Sequence, residues 1–373
     1  MKRLIFSILL CANFYGTSQD LFTLSGTVFE NQGNETLIGA NIIIDELKTG
    51  TISNEYGFYS ITLTKGVYEF TISNVGCLTI KETIILDKDI IRDFTLLEAT
   101  EALEEVLIET NIESLNIRTP QMSVNSLTAS SIKQIPVVFG EADVIKAITL
   151  LPGVSSGGEG AAGFNVRGGA ADQNLILLDE ATIFNSSHLF GLFSVFNPDA
   201  IKSLKLYKGG VPAKYGGRVA SVLDIYQKEG NKNEFKANGG VGLVASRLLL
   251  EGPLKKGVGS FLLGGRATYA HLFLPLFDVN NIAYFYDLNS KLSYKLNKKN
   301  SIYLSAYFGR DVFNVSNSFE NTYGNTVVNF RLNHLFNDKL FSNLSLIYSD
   351  YYYGLNLNFV GFEWNSGIQN MNI

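Results

Sequence analysis

The chain has 373 residues, of which 30 are basic and 35 are acidic, and 46% are hydrophobic. This acidic balance excludes nucleic acid as a partner, because phosphate binding needs clustered Lys and Arg. The length predicts two or three domains.

The first residues predict export. A basic start at residues 1–3, an apolar run at 4–15 and small residues at 16–18 have the layout of a secretory signal peptide, and we expect cleavage after Ser18. The apolar run is far shorter than the ~20 residues of a spanning helix. No apolar stretch of spanning length follows, so any membrane insertion must use strands. Cys77 alone remains after cleavage, so no internal disulfide is expected.

Residues 19–97 predict a small β-sandwich. Short alternating segments separated by turn signals indicate roughly seven antiparallel strands. The segments at 37–42, 54–59 and 66–68 resemble the carboxypeptidase-regulatory-like domain, which implies a transthyretin-like sandwich. This resemblance does not imply peptidase activity. A zinc peptidase needs clustered ligands, whereas the three histidines of the chain lie far apart and outside this domain, so no metal, cofactor or catalytic residue is predicted. These histidines are His188, His271 and His334.

A charged connector at residues 98–114 contains a strand-prone segment. The sequence at 103–110 resembles the TonB box of import receptors, and its assigned residues are Glu105, Val106, Leu107 and Ile108. Such a segment can add itself as a strand to the sheet edge of a periplasmic partner. The alternatives are the last edge strand of the sandwich or an ordinary linker. Its position just before the next predicted domain favours the TonB box over these alternatives.

Residues 115–231 show a mixed α/β pattern. Apolar side chains on one face predict a helix at 141–150, which Pro152 and Gly153 end. Two runs at 174–179 and 201–207, each bounded by turn chemistry, predict strands.

Four blocks in this region, at 142–153, 164–169, 176–180 and 209–225, resemble the plug domain of TonB-dependent receptors. Their order and spacing are specific, and the last block is the most specific. Glu180 stands where the family usually has Gly, so the local turn is expected to differ. The plug-motif residues are Arg167, Gly168, Gly169, Asp179, Gly209, Gly210, Tyr215, Gly216, Gly217 and Arg218.

The plug motif has a physical rationale. Glycines permit sharp turns and close backbone approach. Arg167 and Arg218 can make forked bonds to carboxylates that hold a plug reversibly in a polar lumen, although ordinary surface charges are the alternative. The glycine pattern at 158–163 matches a dinucleotide fingerprint only by accident, because no strand precedes it. His188 lies in an aromatic run at 184–193, which indicates either a packed cluster or a substrate contact.

Residues 232–373 alternate apolar and polar side chains in long segments, as barrel strands between lipid and a wet interior do. About eight strands fit this length. Eight strands close a barrel too narrow for a plug, and an open edge in lipid is costly, so we expect a fragment or an interrupted reading frame. The aromatic interfacial girdles are expected to draw on Tyr303, Tyr307, Tyr348, Tyr351, Tyr352 and Tyr353.

The sequence therefore predicts a mainly β chain with a sandwich, a linker at 98–114, an α+β plug and the first strands of a transmembrane antiparallel β-barrel. The resemblance implies an outer-membrane receptor, with its N-terminal domain in the periplasm, that takes up a siderophore, vitamin, glycan or peptide. The implied partners are a TonB-type periplasmic energy-coupling protein, outer-membrane lipid, the nutrient ligand and, as a further candidate, a surface lipoprotein. The alternative is a secreted or surface multi-domain β adhesin without transport activity.

Overall fold

The computed structural model describes residues 21–31, 35–98, 123–135, 142–158, 163–273, 281–315, 318–337 and 339–373. These residues fold as two compact units. The first contains the described residues up to 98 together with 335–337 and 339–341, and the second contains those from 123 to 334 and from 342 to 373. The predicted signal peptide and TonB-box-like segment lie outside the described residues.

The first unit is a sandwich of two four-stranded sheets. Its strands are β1 (Leu21–Glu30), β2 (Asn41–Ile44), β3 (Thr49–Ile52), β4 (Phe58–Thr64), β5 (Gly66–Ser73), β6 (Ile80–Leu86), β7 (Ile90–Ile91) and β8 (Phe94–Leu96). One sheet has the order β3-β2-β5-β6, and in the other β1 pairs with β4, β7 and β8. Strand β5 shows why they stack: Tyr68, Phe70 and Ile72 are buried, while Val67 and Glu69, which alternate with them, face outward.

The sandwich differs from the prediction in one respect. We expected antiparallel strands throughout, but β1 pairs with β7 and β8 in parallel. The chain from Leu86 to Phe94 crosses from one sheet to the other, which brings β7 and β8 alongside β1 in the same direction. Tyr59 closes this crossing by donating a hydrogen bond from its hydroxyl to the Arg92 carbonyl at 2.7 Å.

We call the described residues between 123 and 231 the plug region. Its regular elements are β9 (Val124–Thr128), α1 (Ala129–Lys133), α2 (Val144–Thr149), β10 (Val154–Ser156), β11 (Phe164–Val166), β12 (Asn174–Leu178), β13 (Ala181–Thr182), β14 (Ser187–His188), β15 (Phe193–Ser194), β16 (Ile201–Tyr207) and β17 (Ser221–Gln227), with 3₁₀ turns at Ala171–Gln173 and Leu189–Gly191. The bounds of β16 are those that the sequence predicts, and β12 ends one residue earlier than predicted.

Helix α2 is shorter than the predicted 141–150. Asp143 caps it by accepting a hydrogen bond from the Lys146 amide at 2.9 Å, so the helix begins at Val144. The helix ends at Thr149. None of the described helices is long and apolar enough to cross a membrane.

A five-stranded sheet organises the plug region, with the order β13-β12-β17-β16-β9. Strands β12 and β17 run parallel, and the other pairs are antiparallel. Alternation gives the sheet two different faces. Leu204, Leu206 and Leu223 pack with the α2 side chains in the main core, whereas Tyr207 and Asp224 lie on the opposite face.

The remaining strands form one antiparallel sheet in sequence order, which we call the wall sheet. It consists of β18 (Lys236–Val241), β19 (Ala245–Lys255), β20 (Gly259–Thr268), β21 (Ile282–Lys295), β22 (Asn300–Val315), β23 (Phe319–Asn337), β24 (Leu340–Leu357) and β25 (Phe362–Asn372), with a 3₁₀ turn at Ala270–Leu272. Eight strands is the number predicted for this part of the chain.

The two faces of the wall sheet differ in polarity. On β21, Asn289 and Lys291 point towards the plug region and are buried, while Leu288 and Leu292 point away and are 48% and 41% exposed. This is the predicted alternation. Of the six candidate girdle tyrosines, Tyr307 is not a member, because it faces the plug region and is 1% exposed.

Candidate functional site

The candidate site is the boundary between the plug region and the wall sheet. Wall residues such as Asn289, Ser293 and Asn329 are at most 2% exposed there. Because a buried polar group without a partner costs free energy, such a boundary is stable only where donors meet acceptors. Three clusters of charged side chains make several of these matches.

We define the His188 cluster as His188 of β14, Arg266 of β20, Asp287 of β21, and Tyr307 and Asp311 of β22. The Nδ1 atom of His188 lies 2.6 Å from Oδ2 of Asp311, and its Nε2 lies 3.2 Å from Oδ2 of Asp287. The Tyr307 hydroxyl also lies 3.2 Å from Nε2. Arg266 donates from Nε to the same Asp287 oxygen at 2.9 Å. One plug histidine is thus held between two wall carboxylates.

The surroundings of His188 favour its protonated form. Burial alone would lower the pKa of His188, but the charge of Asp311, together with the hydrogen bonds to both carboxylates and the charge of Asp287, raises this pKa above its usual value. The ring also stacks on Phe285 with a centroid distance of 4.2 Å, which fixes its orientation. The imidazole is 1% exposed.

The backbone after His188 is strained and tied to the wall sheet. Leu189, Phe190 and Gly191 have φ values of 47°, 53° and 94°, and two consecutive left-handed residues other than glycine are unusual. The Leu189 amide donates to Oδ1 of Asp311 at 2.8 Å, and the Phe190 amide donates to the Tyr323 hydroxyl at 3.0 Å. Wall side chains therefore hold this turn in place.

We define the Asp179 cluster as Asp179 and Glu180 of the plug region, Gln227 of β17, Lys291 of β21 and Arg331 of β23. The Lys291 ammonium lies 3.0 Å from Oδ2 of Asp179 and donates to the Gln227 carbonyl at 2.9 Å. The backbone N–H of Gln227 donates to Oδ1 of Asp179 at 3.0 Å. Arg331 pairs with Glu180 at 3.2 Å.

A two-residue turn presents both acids of this cluster. Leu178 pairs with Ala181, and Asp179 and Glu180 between them have φ values of 46° and 72°. Positive φ at both central residues is the geometry of a type I′ hairpin turn. Glu180 therefore adopts the left-handed conformation that glycine would favour. A difference from the family's usual turn stays a prediction.

The third cluster, the Asp199 cluster, contains Asp199, Lys133 and Arg247. Lys133 lies 2.6 Å from Oδ1 of Asp199, and Nε of Arg247 on β19 lies 2.8 Å from Oδ2. Burial alone would raise the pKa of Asp199, but the hydrogen bonds and charges of the two cations outweigh it and lower that pKa. This carboxylate is therefore ionised at neutral pH.

The charges across the boundary are arranged differently from the prediction. We expected plug arginines to reach carboxylates, but in the described part of the chain Arg167 donates to the Ser123 hydroxyl at 2.9 Å and Arg218 to the Gly217 carbonyl at 3.1 Å. Both arginines are exposed. The three boundary ion pairs of the Asp179 and Asp199 clusters instead join plug carboxylates to wall cations.

The motif glycines occupy tight positions. Gly168 has a φ of 82°, and a Cβ on Gly169 would lie 2.6 Å from the Ala220 side chain. These values explain why the sequence has two glycines after Arg167. Of the remaining motif glycines, Gly210 and Gly217 have positive φ, Gly209 faces the Arg167 guanidinium, and Gly216 is exposed.

Tyr215 of the motif belongs to a buried network on the sheet face opposite the main core. Its hydroxyl donates to Oδ2 of Asp224 at 2.6 Å, and the Tyr226 hydroxyl donates to the same oxygen. Burial raises the pKa of Asp224 more than the two tyrosine hydrogen bonds lower it. The network fastens the loop at 208–220 to the sheet.

The other candidate residues have separate outcomes. Both ring nitrogens of His188 face wall carboxylates, so a substrate could reach the ring only if this contact opened, and substrate contact stays a prediction. Residues 105–108 lie outside the described residues, so the TonB-box assignment also stays a prediction. Among the residues that the structure describes, no group of three or more His, Cys, Asp or Glu side chains is placed to hold a metal ion.

Sequence reasoning missed the wall residues of all three clusters. The alternation on β21 places Asp287, Asn289 and Lys291 on the polar face, which is a usable signal. That signal gives the face but not the partner. Asp287 and Asp311 are 99 and 123 residues from His188, and no local pattern links such distant positions.

Two family comparisons match the chain. Residues 24–108 match the CarboxypepD_reg-like domain, and residues 116–222 match the TonB-dependent Receptor Plug Domain. The plug domain belongs to receptors, which are not enzymes. No curated protein matches the chain by sequence.

Several solved structures are similar to part of the chain at low sequence identity. The siderophore receptor PirA from Acinetobacter baumannii is 17% identical, with a TM-score of 0.52 over 67% of this chain and 44% of that one. PirA from Pseudomonas aeruginosa is 19% identical, with a TM-score of 0.45 over 68% and 49% of the two chains. The P. aeruginosa receptor FpvA is 15% identical, with a TM-score of 0.48 over 64% and 36%. The chain spans less than half the length of each of these receptors. It thus contains a carboxypeptidase-regulatory-like domain and a TonB-dependent receptor plug domain, followed by strands with the fold of a TonB-dependent receptor barrel.

Proposed function

We propose that the chain functions as a TonB-dependent outer-membrane receptor for energy-coupled uptake of a nutrient. The observation that carries this proposal is the boundary between the plug region and the wall sheet. Its three clusters pair charges and hydrogen bonds from one side with those of the other.

A boundary of this kind suits a gate. Each neutral hydrogen bond across it contributes only about 0.5–1.5 kcal/mol net, and each one to a charged group about 1.5–3 kcal/mol, because water replaces the partner when the bond opens. An apolar boundary would lose its burial energy on opening and gain nothing from water in exchange. The polar boundary therefore keeps the plug closed at rest and permits displacement under an applied pull.

The outward face of the wall sheet supports an outer-membrane location with lipid as a partner. Leu304, Phe330 and Leu346 on this face are 40%, 39% and 45% exposed. A broad apolar surface on regular strands is stable against lipid chains and unfavourable against water. We infer that the sandwich at 19–97 then lies in the periplasm.

The proposal assigns energy coupling to Glu105, Val106, Leu107 and Ile108, which would add as a strand to a TonB-type periplasmic partner. The exposed guanidiniums of Arg167 and Arg218 are available for lumen carboxylates beyond the described contacts. The domain division at 1–18, 19–97, 98–114, 115–231 and 232–373 stays a prediction.

The substrate belongs to the small-molecule or oligomeric nutrients. The PirA receptors are siderophore receptors, and for this chain a siderophore, vitamin, glycan or peptide is proposed, with a surface lipoprotein as a candidate accessory partner. Each of these solutes needs active import when it is scarce, which is the task of a plugged and energised receptor.

A matched pair of deletions tests the coupling assignment. Removing residues 106–108 should abolish binding of a purified periplasmic domain of TonB and abolish uptake, while ligand binding is spared. Removing residues 111–113 shortens the same linker equally and should preserve both. Retained TonB binding after the first deletion would show that the coupling segment is misplaced.

Cell fractionation separates the receptor from the adhesin alternative. A receptor is expected in the outer-membrane fraction, with an electrophoretic mobility that changes on heating because the barrel unfolds. Recovery of the protein in the soluble secreted fraction would support the adhesin and contradict the transport assignment.

A further inference from the structure

The hydrogen-bond geometry of His188 favours a charged ring. A neutral imidazole has one N–H and one lone pair, so it can donate to only one of two acceptors. Here Asp311 faces Nδ1 at 2.6 Å and Asp287 faces Nε2 at 3.2 Å. In the neutral form, one ring lone pair would face a buried carboxylate oxygen. The imidazolium donates to both.

The charges around the ring balance only when it is protonated. The groups that face it are the two aspartates, the Arg266 guanidinium, which is 2.9 Å from Asp287, and the Tyr307 hydroxyl. Tyr323 faces the same turn through the Phe190 amide. With a protonated ring, two cations meet two anions. Loss of the proton leaves one excess negative charge in a buried site, which is unfavourable.

This charge balance holds a strained turn. The Leu189 amide and the His188 ring bind the two oxygens of the same Asp311 carboxylate, at 2.8 Å and 2.6 Å. Leu189 and Phe190 adopt left-handed backbone conformations that relax once these contacts open. Ring and turn are therefore expected to release together.

We propose that His188, Asp287 and Asp311 form a charge-dependent latch that fastens the strained turn at 189–191 to the wall sheet and releases it when the imidazolium or its aspartate partner is lost. The latch deepens the proposed function, on which its gating role rests. It adds a regulated contact to the plug boundary.

The direction of the pH effect follows from linkage. The pKa of His188 is raised in the closed state, and an opened turn returns the ring to water with a pKa near ~6.5. The latch is therefore at full strength below about pH 6.5 and is lost as the pH rises through the closed-state pKa. Each unit between the two pKa values makes opening about tenfold easier over this range.

Nitrogen NMR of the purified protein in detergent micelles tests the protonation state. With ¹⁵N-labelled histidine, both His188 nitrogens are expected to show imidazolium shifts at pH 7.5. His271 and His334 serve as internal references, and H188Q assigns the signal. A neutral ring that accepts a hydrogen bond from Tyr307 would overturn the proposal.

Hydrogen exchange of the turn tests the latch itself. After correction for intrinsic rates, protection of the amides at 189–191 should fall as the pH rises from 6 to 9 in the wild type. D311N should lose this slope, whereas Y323F removes a neutral hydrogen bond from the same turn and should keep it. A flat wild-type profile, or equal slopes in both variants, would overturn the latch. Neither measurement requires transport, so the latch can fail while the receptor assignment stands.

Discussion

Replacing Lys291 by methionine removes the ammonium that neutralises Asp179 at the plug boundary. Lys291 is 4% exposed and Asp179 is 1% exposed, so water cannot easily take the place of the lost charge. Breaking a buried pair costs about 3–5 kcal/mol. Because Gln227 still donates to Asp179 at 3.0 Å, we expect the lower end, about 3 kcal/mol, or roughly 150-fold in the equilibrium.

A double-mutant cycle measures this coupling. Urea titration followed by hydrogen exchange of the peptide at 174–182 gives the free energy of unfolding of the plug for K291M, D179N and the double variant. The double variant should recover about 2–3 kcal/mol relative to the summed single effects, since it leaves neither Asp179 nor Lys291 as an unpaired buried charge. Lys295, exposed at the end of the same strand, is the control, and K295M should change stability by less than about 0.5 kcal/mol. Additive single effects would refute the reasoning.

Three further predictions concern the plug region. F164A should lower the free energy of unfolding by about 3–5 kcal/mol in the same titration, because Phe164 is fully buried, and a loss below about 1 kcal/mol would contradict the core packing. Burial raises the pKa of Asp224, so the free energy of unfolding of the wild type should decrease as the pH rises from about 4 through the folded-state pKa. D224N should lack this decrease. Y215F should lower the free energy of unfolding by about 1 kcal/mol, because it loses the hydrogen bond to Asp224. Both E180G and E180A lose the Arg331 ion pair, but only glycine relieves the left-handed strain, so E180G should be more stable than E180A by about 1 kcal/mol; equal stabilities would count against strain in the turn.

Local patterns predicted much of the fold. Strand β16 has the predicted bounds, and the wall sheet has the predicted eight strands, because alternation and turn residues are local signals. The shorter α2 shows the limit of this approach. A capping side chain, Asp143, sets the start of the helix, and apolar periodicity alone does not detect it.

The site was predicted less well than the fold. The residues at 164–169 and 209–225 indicated a plug, but the His188 contacts across the boundary are with strands about a hundred residues away. Their pairing depends on how the plug region is placed against the wall sheet, and strand periodicity contains no information on that placement. The same placement decides which groups Arg167 and Arg218 meet. In the described part of the chain these are the Ser123 hydroxyl and the Gly217 carbonyl, and not the expected carboxylates.

The turn at Asp179 and Glu180 has a consequence for insertions and deletions. Its two adjacent side chains pair with cations on two different wall strands, Lys291 on β21 and Arg331 on β23. The length of this hairpin loop therefore determines whether both carboxylates can reach their cations at the same time. One inserted residue would displace both carboxylates from their cations at once, so a change in the number of residues between Leu178 and Ala181 should cost more stability than exchange of either acid alone.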